Sequence, residues 1–368
     1  MIAELNLKNI LNNRTIIGYI TIELLTIINE APRHESKEKY IHNWLTSQIS
    51  GHALSKSFDS DVFIIYDEVL PVEILIALHT WLGSNCCNIS NVVVITTHTL
   101  GATDWYNSYS YLLGERNFRL LEAPFMSDRY TNRLLAIPPE YELRKKEIKY
   151  WFSYYGGNYS TLERDFLTAS YLNNTITDKH VDYLAGFKQG KVEFNGYLEQ
   201  ISGFRNRGVN DLLSAIQCHQ QFNSNGMLNE TFNMSDNQYQ IDSVSACQII
   251  RETMNNTPYT IVTEKTLRSF LHGQHAIPFS GKNSVSLLEK IGFQFDHALL
   301  DYSYQSDPIF YNKVQKVNNL MIDLANNFTL STLGTYINSH PGVIHHNYNY
   351  VASGKLFLDI TKHITEEV

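Results

Sequence analysis

The sequence predicts an α/β protein made of two Rossmann-like domains facing each other across a cleft, and three observations lead there. Short apolar runs of strand length recur along the chain and are separated by segments with helical spacing. Such unbroken apolar strands between helices mark a parallel sheet covered on both faces. The pattern halts at Ala136-Ile137-Pro138-Pro139 and resumes after Lys149. Paired prolines end helices and suit extended connectors. The length of 368 residues also exceeds the about 100–200 residues usual for one domain.

The elements follow in order. Thr15 to Ile22 is β-branched and reads as a strand. Asp61 to Glu68 is a second strand that ends in carboxylates, and Val72 to Leu82 follows with helical spacing. Asn91 to His98 is a third, buried-type strand. Thr103 to Leu113 reads as a helix and Phe118 to Leu121 as a strand. After the break, Tyr150 to Tyr155 is an aromatic strand and Gly156-Gly157-Asn158-Tyr159 a turn. Ser160 and Glu163 then form a capping box that opens a helix reaching Tyr171. Ala246 to Arg251, Tyr259 to Val262 and Ala276 to Ser280 are strands. Thr266 to Leu271, Ser284 to Ile291 and Phe310 to Asn326 are helices, the last with apolar positions at helical period. The expected division is residues 1–146, 147–340, and a segment 341–368 that returns to the N-terminal domain.

Composition narrows the function classes. With 43 % hydrophobic residues and no Gly-, Pro- or Ser-rich tract, the chain is globular. Its 12 % aromatic content fits core and cleft, and also suits surfaces that stack on sugar or base rings. A net charge of −8 is not that of a non-specific duplex binder, which shows a basic face. The run Arg144-Lys145-Lys146 with Lys149 reads as a solvated linker. Cys86, Cys87, Cys218 and Cys247 contain no C-x-x-C pair, so a thiolate zinc site is not expected. The N-terminus lacks a basic stretch before an apolar core, and no apolar run reaches the roughly 20 residues that span a bilayer. The expectation is a soluble, cytoplasmic protein (host cytoplasm for a viral chain) without a membrane span.

The chemistry concentrates between Pro258 and Gly281. A strand runs into Thr263-Glu264-Lys265 at the mouth of a helix. A helix N-terminus offers free N–H groups and partial positive charge, which suit phosphate. Lys265 adds a full charge there, and Glu264 is placed for ribose hydroxyls. The next strand, ending at Ser280-Gly281, would wall the pocket.

This ordered set resembles the donor-binding motif of the α1,3-fucosyltransferases: V-T-E-K, a helix, then a strand of the type I-P-x-x-x-G. The stretch from Cys247 to about Asn326 is also similar to uncharacterised glycosyltransferase-like proteins of phages and marine microbes. The shared features are Thr263-Glu264-Lys265-Thr266, Gly281, Gly292-Phe293 and Asp301-Tyr302-Ser303-Tyr304. The resemblance covers roughly 80 residues of the C-terminal half. It implies a GT-B-like fold and a nucleotide-sugar donor, with Glu264 at the ribose and Lys265 at the phosphates. Where the fucosyltransferases carry Phe-Glu-Asn-Ser, this chain has Ile250-Arg251-Glu252-Thr253, so their sugar and base preference does not transfer. The phage-like relatives carry a turn followed by Arg at the strand-to-helix junction, which implies Arg164 as a bidentate diphosphate clamp. Arg251 would neutralise the leaving diphosphate, and Glu252 would contact the sugar or base.

Inverting transfer needs a group that removes the acceptor proton. Asp67, Glu68, His98 and Asp104 follow the ends of N-terminal strands, and one of them is expected to be the base. No metal or other cofactor is expected. Asp59-Ser60-Asp61 has D-x-D spacing but precedes its strand, and reads as a turn. His345 and His346, read as neighbours in a strand, would point opposite ways and share no ion with His340. The expected activity is sugar transfer from a nucleotide sugar to an acceptor hydroxyl, on a glycan or a modified nucleic acid. The alternatives are a phage-type DNA-base glycosyltransferase and a non-catalytic binding protein on the same fold.

Overall fold

The computed structural model describes residues 7–11, 13–21, 37–49, 60–67, 69–86, 88–113, 117–127, 147–155, 181–183, 244–252 and 257–368. The predicted turn and helix over residues 156–171, with Arg164, lie outside the described residues, as do Glu68 and Asp59.

The first half contains α1 (Leu7–Ile10), β1 (Thr15–Ile20), α2 (Lys37–Gln48), β2 (Val62–Tyr66), α3 (Val72–Asn85), β3 (Val92–Thr96), β4 (Thr99–Leu100), α4 (Ala102–Leu113) and β5 (Arg119–Glu122). Its sheet runs in the order β1-β2-β3-β5, with every pairing parallel. All five residues of β2 and of β3 are buried, which explains why only Thr96, at the end of β3, interrupts their apolar sequences. The strand order advances in one direction, and right-handed crossovers then place the connecting helices on one face. Accordingly Ile64, Tyr66 and Val94 share an apolar cluster with Leu45 of α2, Leu78 of α3 and Tyr106 of α4. The opposite face carries Phe63, Ile65, Val93 and Ile95, which belong to a second cluster reaching as far as Ile364.

The second half contains β6 (Tyr150–Tyr155), β7 (Val181–Tyr183), β8 (Ser245–Arg251), β9 (Thr260–Ile261), α5 (Glu264–Leu271), β10 (His275–Phe279), α6 (Ser284–Lys290), α7 (Phe310–Asn327), α8 (Leu330–Ser339), α9 (Gly342–Ala352) and α10 (Lys355–Glu367). Its sheet is parallel in the order β10-β8-β6-β7. The chain goes from β6 to β7 on one side and reaches β8 on the other, so the order reverses between β6 and β8. Open α/β sheets bind ligands outside the carboxyl ends of strands at such a reversal. Pro278 lies in β10, the edge strand, where its missing N–H costs no ladder bond.

The two halves meet through a short antiparallel pair, Thr99 with Ile261 and Leu100 with Thr260. Tyr259 reinforces the junction: its hydroxyl donates to Leu70 O at 2.7 Å and its ring meets Trp105 edge-on. At the C-terminal end, Arg14 donates to Val368 O at 3.1 Å and Arg119 donates to Glu367 O.

The histidine pair near the end requires a correction. His345 and His346 lie on the helix α9 and not in a strand. The buried residues Ile344, Asn347, Tyr350 and Val351 recur at helical spacing, but one of them is polar. Asn347 accepts from Gln294 N at 2.8 Å and donates to Gln294 O at 2.7 Å, so its burial leaves no polar atom stranded. The alternation of Asn and Tyr over residues 347–350 masks that helical stripe. Among the described residues, no helix is long and apolar enough to cross a membrane.

Candidate functional site

The carboxyl ends of β8 and β10 and the entry to α5 form one compact polar cluster. Thr263 is the N-cap of α5, with extended backbone, and its hydroxyl accepts from Lys265 N. Glu252, just past β8, is fully buried. One carboxylate oxygen accepts from Thr263 N at 3.0 Å and Thr266 Oγ1 at 2.7 Å, and the other accepts from Thr263 Oγ1 at 2.6 Å. Burial pushes the Glu252 carboxyl above its ordinary value, while the Lys265 charge and the threonine hydroxyls pull the other way. The carboxylate thus sits at the positive end of α5 and ties that helix to β8. Glu252 and Thr263 thus occupy donors of the helix start, and Lys265 stands beside them.

Lys265 is only partly covered, with 24 % of its side chain accessible. Its ammonium donates to Thr263 Oγ1 at 3.3 Å and stands 3.9 Å from Glu264 Oε1. Glu264 is similarly accessible. Arg251 ends β8 directly before Glu252. Gly281 follows β10 where the chain crosses residue 259, and a Cβ there would stand 1.8 Å from Tyr259 O. Only glycine permits that crossing.

A second polar cluster lies at the carboxyl ends of β2 and β3. Asp67 and His98 are each 3 % exposed. Asp67 accepts from Thr97 Oγ1 at 2.9 Å and from Tyr19 OH at 3.2 Å. Thr97 Oγ1 also lies 2.6 Å from His98 Nδ1. The two clusters are adjacent, since Val262 N donates to His98 O at 2.9 Å, one residue before the Thr263 cap. The structure therefore brings together Asp67, His98, Glu252, Thr263, Glu264, Lys265 and Gly281. Asp104 is exposed in the first turn of α4. Asp61, the last residue of the D-x-D triplet, pairs with Arg119 at 2.8 Å at the opposite end of β2.

Sequence reasoning passed over three residues of this region. Thr97 and Tyr19 read as β-branched and aromatic strand residues, with nothing to mark their hydroxyls. Lys313 sits beside Val314 and Val317 on the buried side of α7. Its ammonium donates to Ser280 O at 3.2 Å and Gly281 O at 3.3 Å, and burial lowers its pKa from 10.5 to about 8. A lysine inside an apolar helical stripe was the available signal. Glu122 repeats the Glu252 arrangement in the first half: it ends β5 and accepts from Gly101 N and Ala102 N at the start of α4. Burial raises its carboxyl as well.

Among the described residues, no group of three or more His, Cys, Asp or Glu is placed to hold a metal ion. Comparison with protein-family models, with curated proteins and with solved structures gives no match to this chain.

Proposed function

We propose that this chain is a glycosyltransferase of GT-B-like arrangement. It takes a sugar from a nucleotide-sugar donor bound by residues 147–340 and passes it to an acceptor hydroxyl held by residues 1–146. The observation that carries this reading is the junction at His98 and Val262. One hydrogen bond there joins the Asp67–Thr97–His98 cluster to the cap that bears Lys265. In this reading the first cluster supplies a proton acceptor and the second a cation.

In that reaction the acceptor oxygen attacks the anomeric carbon, and the bond from that carbon to the donor diphosphate breaks. The acceptor proton passes to a base drawn from Asp67 and His98, and the departing diphosphate gains charge beside Lys265. Glu264 takes the ribose, and Arg251 and Arg164 complete the diphosphate site. One displacement inverts the anomeric centre, and no step calls on a metal.

Titration calorimetry with nucleoside diphosphates and nucleotide sugars, followed by mass-spectrometric detection of transferred sugar, tests the proposal. Glycans and duplex DNA with hydroxymethylated bases serve as acceptors. Binding of one donor below about 1 mM with transfer to either acceptor supports it. A folded protein that binds no member of the panel refutes it and favours a non-catalytic binding role. Transfer to the DNA bases selects the DNA-modifying form of the activity.

A further inference from the structure

We infer that Thr97 is a positioning residue that couples Asp67 to His98, fixes the His98 proton on Nδ1 and thereby makes Nε2 the basic atom of the site. The argument is an accounting of protons. A hydroxyl carries one hydrogen, and a carboxylate oxygen only accepts. Thr97 gives its hydrogen to Asp67 Oδ1 at 2.9 Å. The 2.6 Å contact between Thr97 Oγ1 and His98 Nδ1 then has only one possible donor, the ring N–H. A neutral imidazole with its hydrogen on Nδ1 carries its lone pair on Nε2.

The backbone makes this contact possible. Neighbouring side chains in a strand point to opposite faces. Thr97 and His98 fall in the bend between β3 and β4, where that alternation is broken. Each end of the chain of contacts is anchored. Asp67 N donates to Ile20 O at 2.8 Å, Tyr19 OH donates to the other Asp67 oxygen, and His98 O accepts from Val262 N. All three side chains are buried, so water does not compete for Thr97. The sequence feature behind this is Thr96-Thr97-His98 after the apolar run 92–95: β-branched residues that extend the strand pattern also supply the hydroxyl at its end.

The catalytic half of the inference rests on the sugar-transfer reading; the proton position does not. The test is therefore a spectrum first. The full chain is labelled with 15N-histidine, and two-bond proton–nitrogen correlations give each ring's tautomer above its titration. His98→Gln identifies the His98 signals. The expected wild-type pattern is hydrogen on Nδ1. Thr97→Ser keeps it, and Thr97→Val populates the Nε2-protonated ring. In turnover, Thr97→Val lowers kcat by about 10², the lower range for positioned acid–base catalysis, with donor KM changed little, and Thr97→Ser restores most of the rate. A wild-type His98 protonated on Nε2 overturns the inference without any variant, even if Thr97→Val does not fold. So does a Thr97→Val protein that keeps Nδ1 protonated. Hydrogen on Nδ1 in a protein that transfers no sugar upholds the relay and refutes the transfer reading.

Discussion

Lys313 offers a quantitative test of the site's packing. Lys313 is 5 % exposed, and its ammonium is held by two backbone carbonyls and makes no ion pair with a described carboxylate. Asp307 raises its pKa, but that carboxylate is already engaged by Lys316 at 2.9 Å. Burial prevails and brings Lys313 from 10.5 to about 8. Between those values the unfolded chain holds a proton that the folded chain has lost. Raising pH there removes protons from the unfolded state and stabilises the fold, and below pH 8 that contribution is gone. The whole interval, at about 1.4 kcal/mol per pH unit, corresponds to about 3 kcal/mol. From pH 7 to 9.5 the gain is about 2 kcal/mol, which moves a urea midpoint up by roughly 0.5–1 M. The series stops below pH 10, because the buried hydroxyls of Tyr302 and Tyr304 are raised above their ordinary value. Their unfolded counterparts ionise first, and that lowers stability above pH 10. Urea unfolding of wild type and Lys313→Met across this range decides the matter. The wild-type midpoint should climb and the variant's should stay flat. A variant that climbs equally would show that Lys313 is charged and well solvated in the folded protein.

Further predictions follow from the same region. Lys265→Ala and Lys265→Met should each lower kcat/KM for transfer by about 10²–10³, since the charge acts on a group that becomes more negative in the transition state. Their unfolding midpoints should hardly move, and a folded variant with full activity would remove Lys265 from the mechanism. Glu252→Ala should destabilise by about 3 kcal/mol or more, because it strands one N–H and two hydroxyls in a fully buried place. Amide exchange in the first turn of α5 should rise with it. Gly281→Ala should cost more than about 4 kcal/mol or prevent folding, given the 1.8 Å approach to Tyr259 O. Gly83→Ala is its control: nothing lies within 4 Å of that Cβ, so the change should stabilise α3 by up to about 1 kcal/mol in thermal melts.

What could be read from the chain followed from where water is excluded. β2 and the first four residues of β3 are apolar and were legible because both faces of the sheet are covered. β9 falls inside the expected strand Tyr259 to Val262, whereas β4 is a separate two-residue element that no periodicity reports. α8 opens with Thr329 and Thr332, whose hydroxyls form the capping box that an acid usually completes, so its start carries no acidic mark. Within the site, Asp67, His98, Thr263 and Lys265 were visible because charge or capping chemistry stands at strand and helix ends. The hydrogen-bonding task of Thr97 was not, since a threonine after a strand has the same spelling whether or not its hydroxyl is used. Glu252 was marked for its charge, while its engagement with Thr263 and Thr266 depends on two segments converging in space.

The pairing of Thr99–Leu100 with Thr260–Ile261 also constrains the order of folding. The partners are far apart along the chain, so this pair cannot close early, and long-range pairings of this kind slow folding. During synthesis the first half emerges with β4 unpaired and without Tyr259, whose ring meets Trp105 and whose hydroxyl satisfies Leu70 O. Until residues 259–261 arrive, the nascent protein presents an open strand edge beside an uncovered aromatic surface. That combination invites pairing with another chain, so the interval before residue 261 is the period in which this protein most needs a chaperone.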